Sequence, residues 1–80
     1  MDPDNLIRMA NRIGDFFAVM PEQSEAEEGV ATHLKKFWEP RMRRALRLIA
    51  SGDRAGELHP LVRQAVAADQ AQSSSDVPPG

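Results

Sequence analysis

The 80-residue chain contains no cysteine and only two histidines, His33 and His59. The missing thiols exclude disulfides, thiolate-bound iron–sulfur clusters, cysteine zinc sites and cysteine nucleophiles. Two histidines without cysteine supply too few nitrogen and sulfur ligands for a zinc site. No apolar run approaches the roughly 18 residues that a membrane span requires. We therefore expect no metal, no cofactor and no membrane partner.

The chain also lacks the patterns that accompany catalysis. GDRAG at 52–56 is not a phosphate-binding loop, because it lacks the lysine and the strand–loop–helix context of such loops. Nucleophilic catalysis needs a base within reach of an activated nucleophile. His59 precedes Pro60 at a predicted helix start and is expected to serve the helix cap. His33 borders an apolar stripe and is expected to pack there or at an interface. These patterns predict that the chain is not an enzyme.

The length of the chain allows one domain with a thin hydrophobic core. Binding to a partner is a common way to stabilise a domain of this size. The N-terminal sequence MDPDNLIRM lacks the basic region that opens a secretory signal peptide. We therefore expect a cytoplasmic protein that is only marginally stable without a partner.

Charge is polarised along the chain, although the net charge is only −2. Residues 1–34 hold two basic and seven acidic side chains, whereas residues 35–47 hold six basic side chains and one acidic side chain. A basic segment of this kind suits an acidic protein surface or a phosphate, and it equally suits a solvated helix face. Charge alone leaves both interpretations open.

The first segment has the pattern of an amphipathic helix from Pro3 to Met20. Asp2 is a suitable N-cap, and proline suits the first helical position. Apolar residues cover about half of the helix circumference, whereas a surface helix needs a stripe little wider than about 100°. This excess predicts burial on two sides, by the chain's own fold and by another chain. Gly14 lies within the arc and predicts close approach of a second helix, since glycine costs up to about 1 kcal/mol relative to alanine. The apolar arc consists of Leu6, Ile7, Met9, Ala10, Ile13, Phe16, Phe17 and Met20.

Two helices are predicted on either side of a proline. Helix 2 begins at Ser24, where Ser24 and Glu27 form a capping-box pattern. It ends before Pro40, because a proline disfavours the α conformation of the preceding residue. Helix 3 follows almost without a linker, from residue 40 or 41 to about residue 51, so the join is a sharp corner. The apolar stripes are Ala26, Val30, Leu34 and Phe37 in helix 2, and Met42, Ala45, Leu46 and Ile49 in helix 3.

A short helix 4 is predicted from Pro60 to about residue 68, whereas residues 70–80 have the composition of a disordered tail. No segment shows strand-like alternation. Short links between amphipathic helices favour a compact antiparallel arrangement. We therefore predict an all-α fold, a compact bundle of three main helices plus a short fourth helix, with a docking domain at residues 1–69 and a flexible tail at residues 70–80. The apolar side of helix 4 consists of Leu61, Val62, Ala65 and Val66.

The stretch HLKKFWEPRMRRAL at 33–46 combines features of a docking surface. It joins aromatic residues to a proline break and then to arginines, and tryptophan and arginine are enriched at interface hot spots. Basic residues at a helix N-terminus are locally unfavourable, which is typical of functional surfaces. We expect Trp38, Glu39 and Arg41 outside the corner and Phe37 beneath it, with the alternative that Trp38 covers the core. The arginines of helix 3 that are expected to face away from its apolar side are Arg43, Arg44 and Arg47.

Two other functions compete with protein docking. The arginine face of helix 3 suits nucleic-acid phosphates, so a small helical nucleic-acid-binding protein is the main alternative. The negative net charge and the lack of a convincing helix-turn-helix pattern argue against nucleic acid as a partner. A self-associating helical regulator is the third interpretation.

Several blocks of the sequence together resemble a known family. These blocks are LIRMANRIGDFF at 6–17, H-x-x-x-FWEPRMR at 33–43 and LHPLVRQAV at 58–66. They look like the delta subunit of the soluble, NAD-dependent, molybdenum-containing formate dehydrogenases, and the resemblance covers most of residues 4–68. The tryptophan–acid–proline–arginine block is its most specific part.

The resemblance implies an accessory subunit beside a large catalytic subunit that holds a molybdopterin cofactor and iron–sulfur clusters. Such complexes oxidise formate to carbon dioxide and reduce NAD, and the small subunit is expected to hold no redox centre and no catalytic residue. Its implied role is assembly or stability of the complex, or retention of the metal cofactor. The positions expected to contact the large subunit are Phe37, Trp38, Glu39, Pro40, Arg41, Met42, Arg43, Arg44 and Arg47.

Overall fold

The computed structural model describes the backbone of residues 2–75 and the side chains of residues 2–68. Over this part of the chain the secondary structure is entirely helical, which confirms the predicted all-α fold. The elements are α1 at Pro3–Phe17, α2 at Gln23–Phe37, α3 at Pro40–Ala50, a short 3-10 helix at Ala55–Glu57, and α4 at Pro60–Ser75.

Helix α1 begins as its sequence predicts. Its N-cap is Asp2, whose Oδ1 accepts a hydrogen bond of 3.0 Å from the backbone N–H of Asp4. The helix ends at Phe17, three residues before the predicted end at Met20. The backbone N–H of Met20 donates to the carbonyl of Phe17 at 3.1 Å, so the chain has tightened into a turn before it reaches Pro21.

The predicted capping box of α2 is wrong. The N-cap is Glu22, which is extended, and the carbonyl of Glu22 accepts the first helical hydrogen bond from the N–H of Ala26 at 3.0 Å. Ser24 therefore already lies inside the first turn and makes no cap. At the start of α2, Nε2 of Gln23 donates a side-chain hydrogen bond to Oε2 of Glu27 at 3.0 Å.

The core draws side chains from every α-helix. Its largest fully buried members are Val30 of α2, Leu46 of α3 and Val62 of α4. The stripes predicted for α1 and α4 supply Leu6, Ile7 and Ala10 and Leu61, Val62, Ala65 and Val66, and these residues are buried as expected. Leu58, just before α4, is also buried.

Helix α4 is longer than predicted. It extends to Ser75, well past the predicted end near residue 68, because the alanine-rich sequence after Val66 favours helix. Its most extensive contacts are with α2, although these two helices are not adjacent in sequence. The backbone of residues 70–75 is helical, and residues 76–80 lie outside the described residues. The flexibility predicted for residues 70–80 therefore stays a prediction.

Close approach at Gly14 is confirmed, but the approaching group is not the body of a helix. A Cβ at Gly14 would lie 2.6 Å from Cγ and 2.8 Å from Cβ of His59, the residue before α4. Any larger residue would push the start of α4 away from α1.

A set of polar contacts, which we name the α1–α4 clasp, ties α1 to the segment before α4. Nδ2 of Asn11 donates to the carbonyl of Glu57 at 2.9 Å, and Oδ1 of Asn11 accepts from the N–H of His59 at 2.7 Å. Nδ1 of His59 in turn accepts from the N–H of Leu61 at 3.1 Å, which confirms its predicted place in the cap. The members of the clasp are Asp4, Asn11, Arg54, Glu57 and His59.

Arg54 joins two carboxylates within this clasp. Its guanidinium donates to both carboxylate oxygens of Glu57, at 2.7 and 2.9 Å, and to Asp4. The hydrogen bond from Arg54 holds the pKa of Glu57 below its usual value, and the same bonds raise the pKa of Arg54. A carboxyl with a depressed folded-state pKa stabilises the fold above its unfolded-state pKa. That contribution is lost as the pH falls through the folded-state pKa.

Replacement of Arg54 with Gln is expected to return the pKa of Glu57 toward its ordinary value, because the hydrogen-bonding cation is lost. A side-chain carboxyl titration by NMR measures this directly. The control is Arg63→Gln, which removes an exposed arginine of α4 and should leave the pKa of Glu57 unchanged. If Glu57 still titrates at the low value in Arg54→Gln, another group causes the shift.

Candidate docking surface

The join between α2 and α3 is a corner of two residues, Trp38 and Glu39. The N–H of Trp38 donates to the carbonyl of Leu34 at 3.0 Å and closes the last turn of α2. Both corner residues are extended, with φ/ψ of −97°/136° and −67°/152°, and Pro40 opens α3. The predicted sharp corner is confirmed, and its cause is the restriction that proline places on the preceding residue.

Of the two aromatic residues at this corner, Phe37 lies outside the core, contrary to its prediction, whereas for Trp38 the alternative that it covers the core is confirmed. Trp38 is only 6% exposed and belongs to the core, whereas Phe37 is 71% exposed. Trp38 continues the buried row formed by every fourth residue of α2, namely Ala26, Val30 and Leu34. A row of residues spaced four apart is inclined to the helix axis. A helical wheel, which views the helix along its axis, therefore does not show that Trp38 belongs to this row. Trp38 therefore supports the corner from inside, while Glu39, Pro40 and Arg41 are exposed.

Four aromatic side chains, which we name the aromatic patch, lie together along α1 and α2. Phe16 and Phe17 meet edge to face with centroids 5.1 Å apart, and His33 lies 6.3 Å from Phe17 and 4.8 Å from Phe37. Phe16 is 72% exposed, about as much as Phe37. The predicted packing of His33 is confirmed, since it is half-buried between two phenylalanines. The members of the patch are Phe16, Phe17, His33 and Phe37.

Gly29 allows α1 and α2 to build this patch. A Cβ at Gly29 would lie within 2.6 Å of Cδ1 and Cε1 of Phe17. The ring of Phe17 therefore lies directly on the backbone of α2, and a side chain at residue 29 would displace it. Close approach at Gly29 was not predicted from the sequence, whereas close approach at Gly14 was.

The wide apolar arc of α1 is buried along one edge only. Leu6, Ile7 and Ala10 are in the core, whereas Met9 and Phe16 on the other edge are exposed. Within residues 2–68 no segment of the chain covers this second edge. The predicted burial by the chain's own fold is confirmed, and burial by another chain stays a prediction.

The arginines of α3 divide into two groups, which corrects the prediction that they share one outward face. Arg41 and Arg44 are exposed, together with Leu48. Arg43 and Arg47 are half-buried, because they lie nearer to the inward face that carries Leu46 and Met42. Of these four arginines, only Arg41 and Arg44 lie on the solvent-facing side of α3.

The second pair borders a shallow groove between α2, α3 and α4. Within it, Nε of Arg43 is buried and has no hydrogen-bond partner among the described residues. A buried donor without a partner costs about 1–3 kcal/mol. The residues lining the groove are Ala31, Leu34, Lys35, Arg43, Leu46, Arg47, Ala65 and Val66.

The described residues offer neither a cluster of metal ligands nor a membrane-spanning helix. No group of three or more histidine, aspartate or glutamate side chains in that part of the chain is placed to hold a metal ion. Likewise, none of the helices described there combines the length and the apolar composition needed to cross a membrane.

A family model described as the NADH-dependent formate dehydrogenase delta subunit FdsD matches residues 5–66. This range agrees with the residues over which the sequence itself resembles that subunit. Comparison with curated proteins and with solved structures gives no match.

The two aromatic residues at the corner are expected to differ sharply in their effect on stability. Trp38→Ala should lower the free energy of unfolding by about 3–5 kcal/mol, because it leaves a large cavity in a thin core. Phe37→Ala should change it by no more than about 0.5 kcal/mol, because the ring is exposed. Denaturant unfolding followed by circular dichroism measures both values.

Where Trp38→Ala leaves too little native protein to measure, Trp38→Phe takes its place. Trp38→Phe should also lower the free energy of unfolding, but by less than Trp38→Ala. Equal losses for Trp38→Ala and Phe37→Ala would contradict the assignment of Trp38 to the core.

Proposed function

Because the chain belongs to the NADH-dependent formate dehydrogenase delta subunit family, we propose that it is a non-catalytic accessory subunit of a multi-subunit formate dehydrogenase. Its partner is the large catalytic subunit, which carries molybdenum and iron–sulfur centres and oxidises formate in the cytoplasm. The small subunit supports assembly, stability or cofactor retention of that partner.

The observation that carries this proposal is the exposed aromatic patch on a domain with a thin core. Phe16 and Phe37 are large apolar side chains left mostly in water, and Phe17 and His33 connect them into one surface. Aromatic residues are enriched at protein interfaces, where their burial supplies much of the binding energy. A patch of this kind favours a protein partner over a small-molecule substrate.

The exposed cations of α3 extend this surface past the corner. Arg41 lies four residues after Phe37, across the two-residue corner, and Arg44 lies one turn further along α3. Charges at the edge of an interface steer the approach of a complementary surface and fix its orientation. An acidic region on the large subunit would complement them.

We propose that the docking surface includes most of the residues that the sequence marked. Trp38 acts indirectly, since its buried indole holds the corner in place beneath the contact residues. The half-buried Met42 lies at the inner margin. The residues proposed for the surface or its margin are Phe16, Phe37, Glu39, Pro40, Arg41, Met42, Arg43, Arg44 and Arg47.

Reversal of the two exposed α3 charges, Arg41→Glu with Arg44→Glu, is expected to weaken binding to the large catalytic subunit by about 10- to 100-fold. The physical reason is repulsion from the acidic surface that the arginines approach. The affinity of the tagged full chain for the purified large subunit measures the loss, and circular dichroism checks the fold.

The matched control reverses two exposed arginines of α1, Arg8→Glu with Arg12→Glu, which changes the net charge equally. This control should bind within about threefold of the wild-type chain. Equal affinity of both double variants would rule out the α3 surface. Failure of the wild-type chain to bind the large subunit, together with retention on duplex nucleic acid at low salt, would replace the proposed function with nucleic-acid binding.

Truncation of the two most exposed rings, Phe16→Ala with Phe37→Ala, is expected to weaken the same affinity by at least about tenfold, since hot-spot truncation costs more than about 1–2 kcal/mol. The helical circular dichroism should stay unchanged, because neither ring belongs to the core. Wild-type affinity in this variant would exclude the aromatic patch from the interface.

A further inference from the structure

An open cleft, which we name the α1–α2 cleft, runs along α2 beside the end of α1 and has a volume of about 580 Å³. Its middle is aromatic, because the ring of Phe17 lies on Gly29 there and His33 lies beside Phe17. The mostly exposed ring of Phe37 lines it toward the end of α2. The cleft therefore presents much of the aromatic patch as one apolar strip, with room for side chains of another chain.

The two ends of the α1–α2 cleft carry opposite charges. Glu25 and Glu28 line it where α2 begins, and Lys36 lines it where α2 ends. Lys36 comes two turns after Glu28, about 12 Å further along the helix axis. All three side chains are exposed, and none of them makes a hydrogen bond or an ion pair within residues 2–68. The cleft thus offers unpaired acidic, apolar and basic groups in that order.

This order is complementary to its own reverse. When a second α2 lies antiparallel to the first, Lys36 of each chain comes opposite the glutamates of the other, and the apolar middles meet. Two-fold symmetry makes each of these contacts twice within one interface, which is the usual form of a homodimer. From the apolar cleft and its charge order we propose that the free chain pairs with a second copy of itself through the α1–α2 cleft.

The charge pairs also define where the two-fold axis crosses α2. The midpoint between Glu28 and Lys36 is Thr32, and the midpoint between Glu25 and Lys36 lies less than one turn earlier. Gly29 is within one turn of both midpoints, so the ring of Phe17 that lies on it comes close to the axis. Each copy therefore covers the aromatic strip of the other. An exposed apolar strip rimmed by charges is typical of an interaction surface.

The exposed aromatic area predicts a weak pair. Phe16 and Phe37 are the two mostly exposed rings of the aromatic patch. Two such rings from each chain supply roughly 400–700 Å², since a fully covered aromatic side chain buries about 150–250 Å². This is less than the roughly 1,200 Å² at which stable, specific interfaces begin. We therefore expect a dissociation constant of about 10–200 µM.

The pairing does not rest on the proposed function, because it involves the free chain alone. The second copy nevertheless covers the patch that the proposed function assigns to the large catalytic subunit, so the two occupants exclude each other. Because the pair is weak, the large subunit displaces the second copy when it binds. The exposed rings are thus covered both before and after docking.

Sedimentation equilibrium of the full free chain, from about 5 to 500 µM, tests the pairing, and we expect monomer to give way to dimer over this range. Lys36→Glu should weaken the pairing by about tenfold or more, because it places like charges opposite each other at both ends of the interface. Glu25→Lys with Glu28→Lys should weaken it equally. An equimolar mixture of these two variants should restore the dimer, since the charges then alternate correctly across the interface.

The matched control is Lys35→Glu, which makes the same change of charge at an exposed residue of α2 outside the cleft. It should pair within about threefold of the wild-type chain. Circular dichroism checks that every variant keeps its helices. A wild-type chain that is monomeric throughout the range, or a mixture that pairs no better than either variant alone, would overturn the proposal.

The outcomes separate this proposal from the proposed function. A monomeric wild-type chain whose Lys36→Glu variant binds the purified large catalytic subunit more weakly would assign the cleft to that subunit alone, and the accessory role would stand. A wild-type chain that pairs with itself as expected but does not bind the large subunit would support the pairing and overturn the proposed function.

Discussion

Pro40 disfavours the α conformation of the residue before it, and the arrangement of α2 and α3 depends on the bend that results. The backbone leaves the helix at Trp38, and the indole lies in the core. Phe37, one residue earlier, is left in solvent. The same bend starts α3 in a register that turns Leu46 inward and Arg44 outward. A two-residue corner thus determines both the packing inside and the surface offered outside.

The second constraint is the clasp between α1 and the start of α4. Asn11 holds the backbone on both sides of Leu58, and His59 closes on Gly14, so α4 begins at a defined place against α1. From there α4 runs along α2, and its residues Ala65 and Val66 complete the groove that Arg43 borders. The polar contacts of the α1–α4 clasp therefore help to position the apolar side of the groove that α4 contributes.

The sequence predicted the helices themselves better than the way in which they pack against one another. Asp2, Pro40 and Pro60 act at helix ends through local chemistry, and they lie where they were expected to act. The Ser24 capping box failed because the extended Glu22 takes the N-cap, which depends on how the chain leaves Pro21. The end of α4 was misjudged because composition alone does not distinguish a polar helix from a tail.

The sequence by itself determined the all-α class, the helix order and the sharp corner before Pro40, because caps, prolines and apolar periodicity act over a few residues. It also determined the membership of the family, through blocks of sequence that resemble the delta subunit. Only the tertiary structure decided that Trp38 is buried and Phe37 is not, and that Arg43 turns into a groove while Arg44 faces solvent. A helix wheel gives the angle of each side chain about its own axis. Exposure depends on where and at what inclination a second helix crosses that axis, and this is a property of the packed chain.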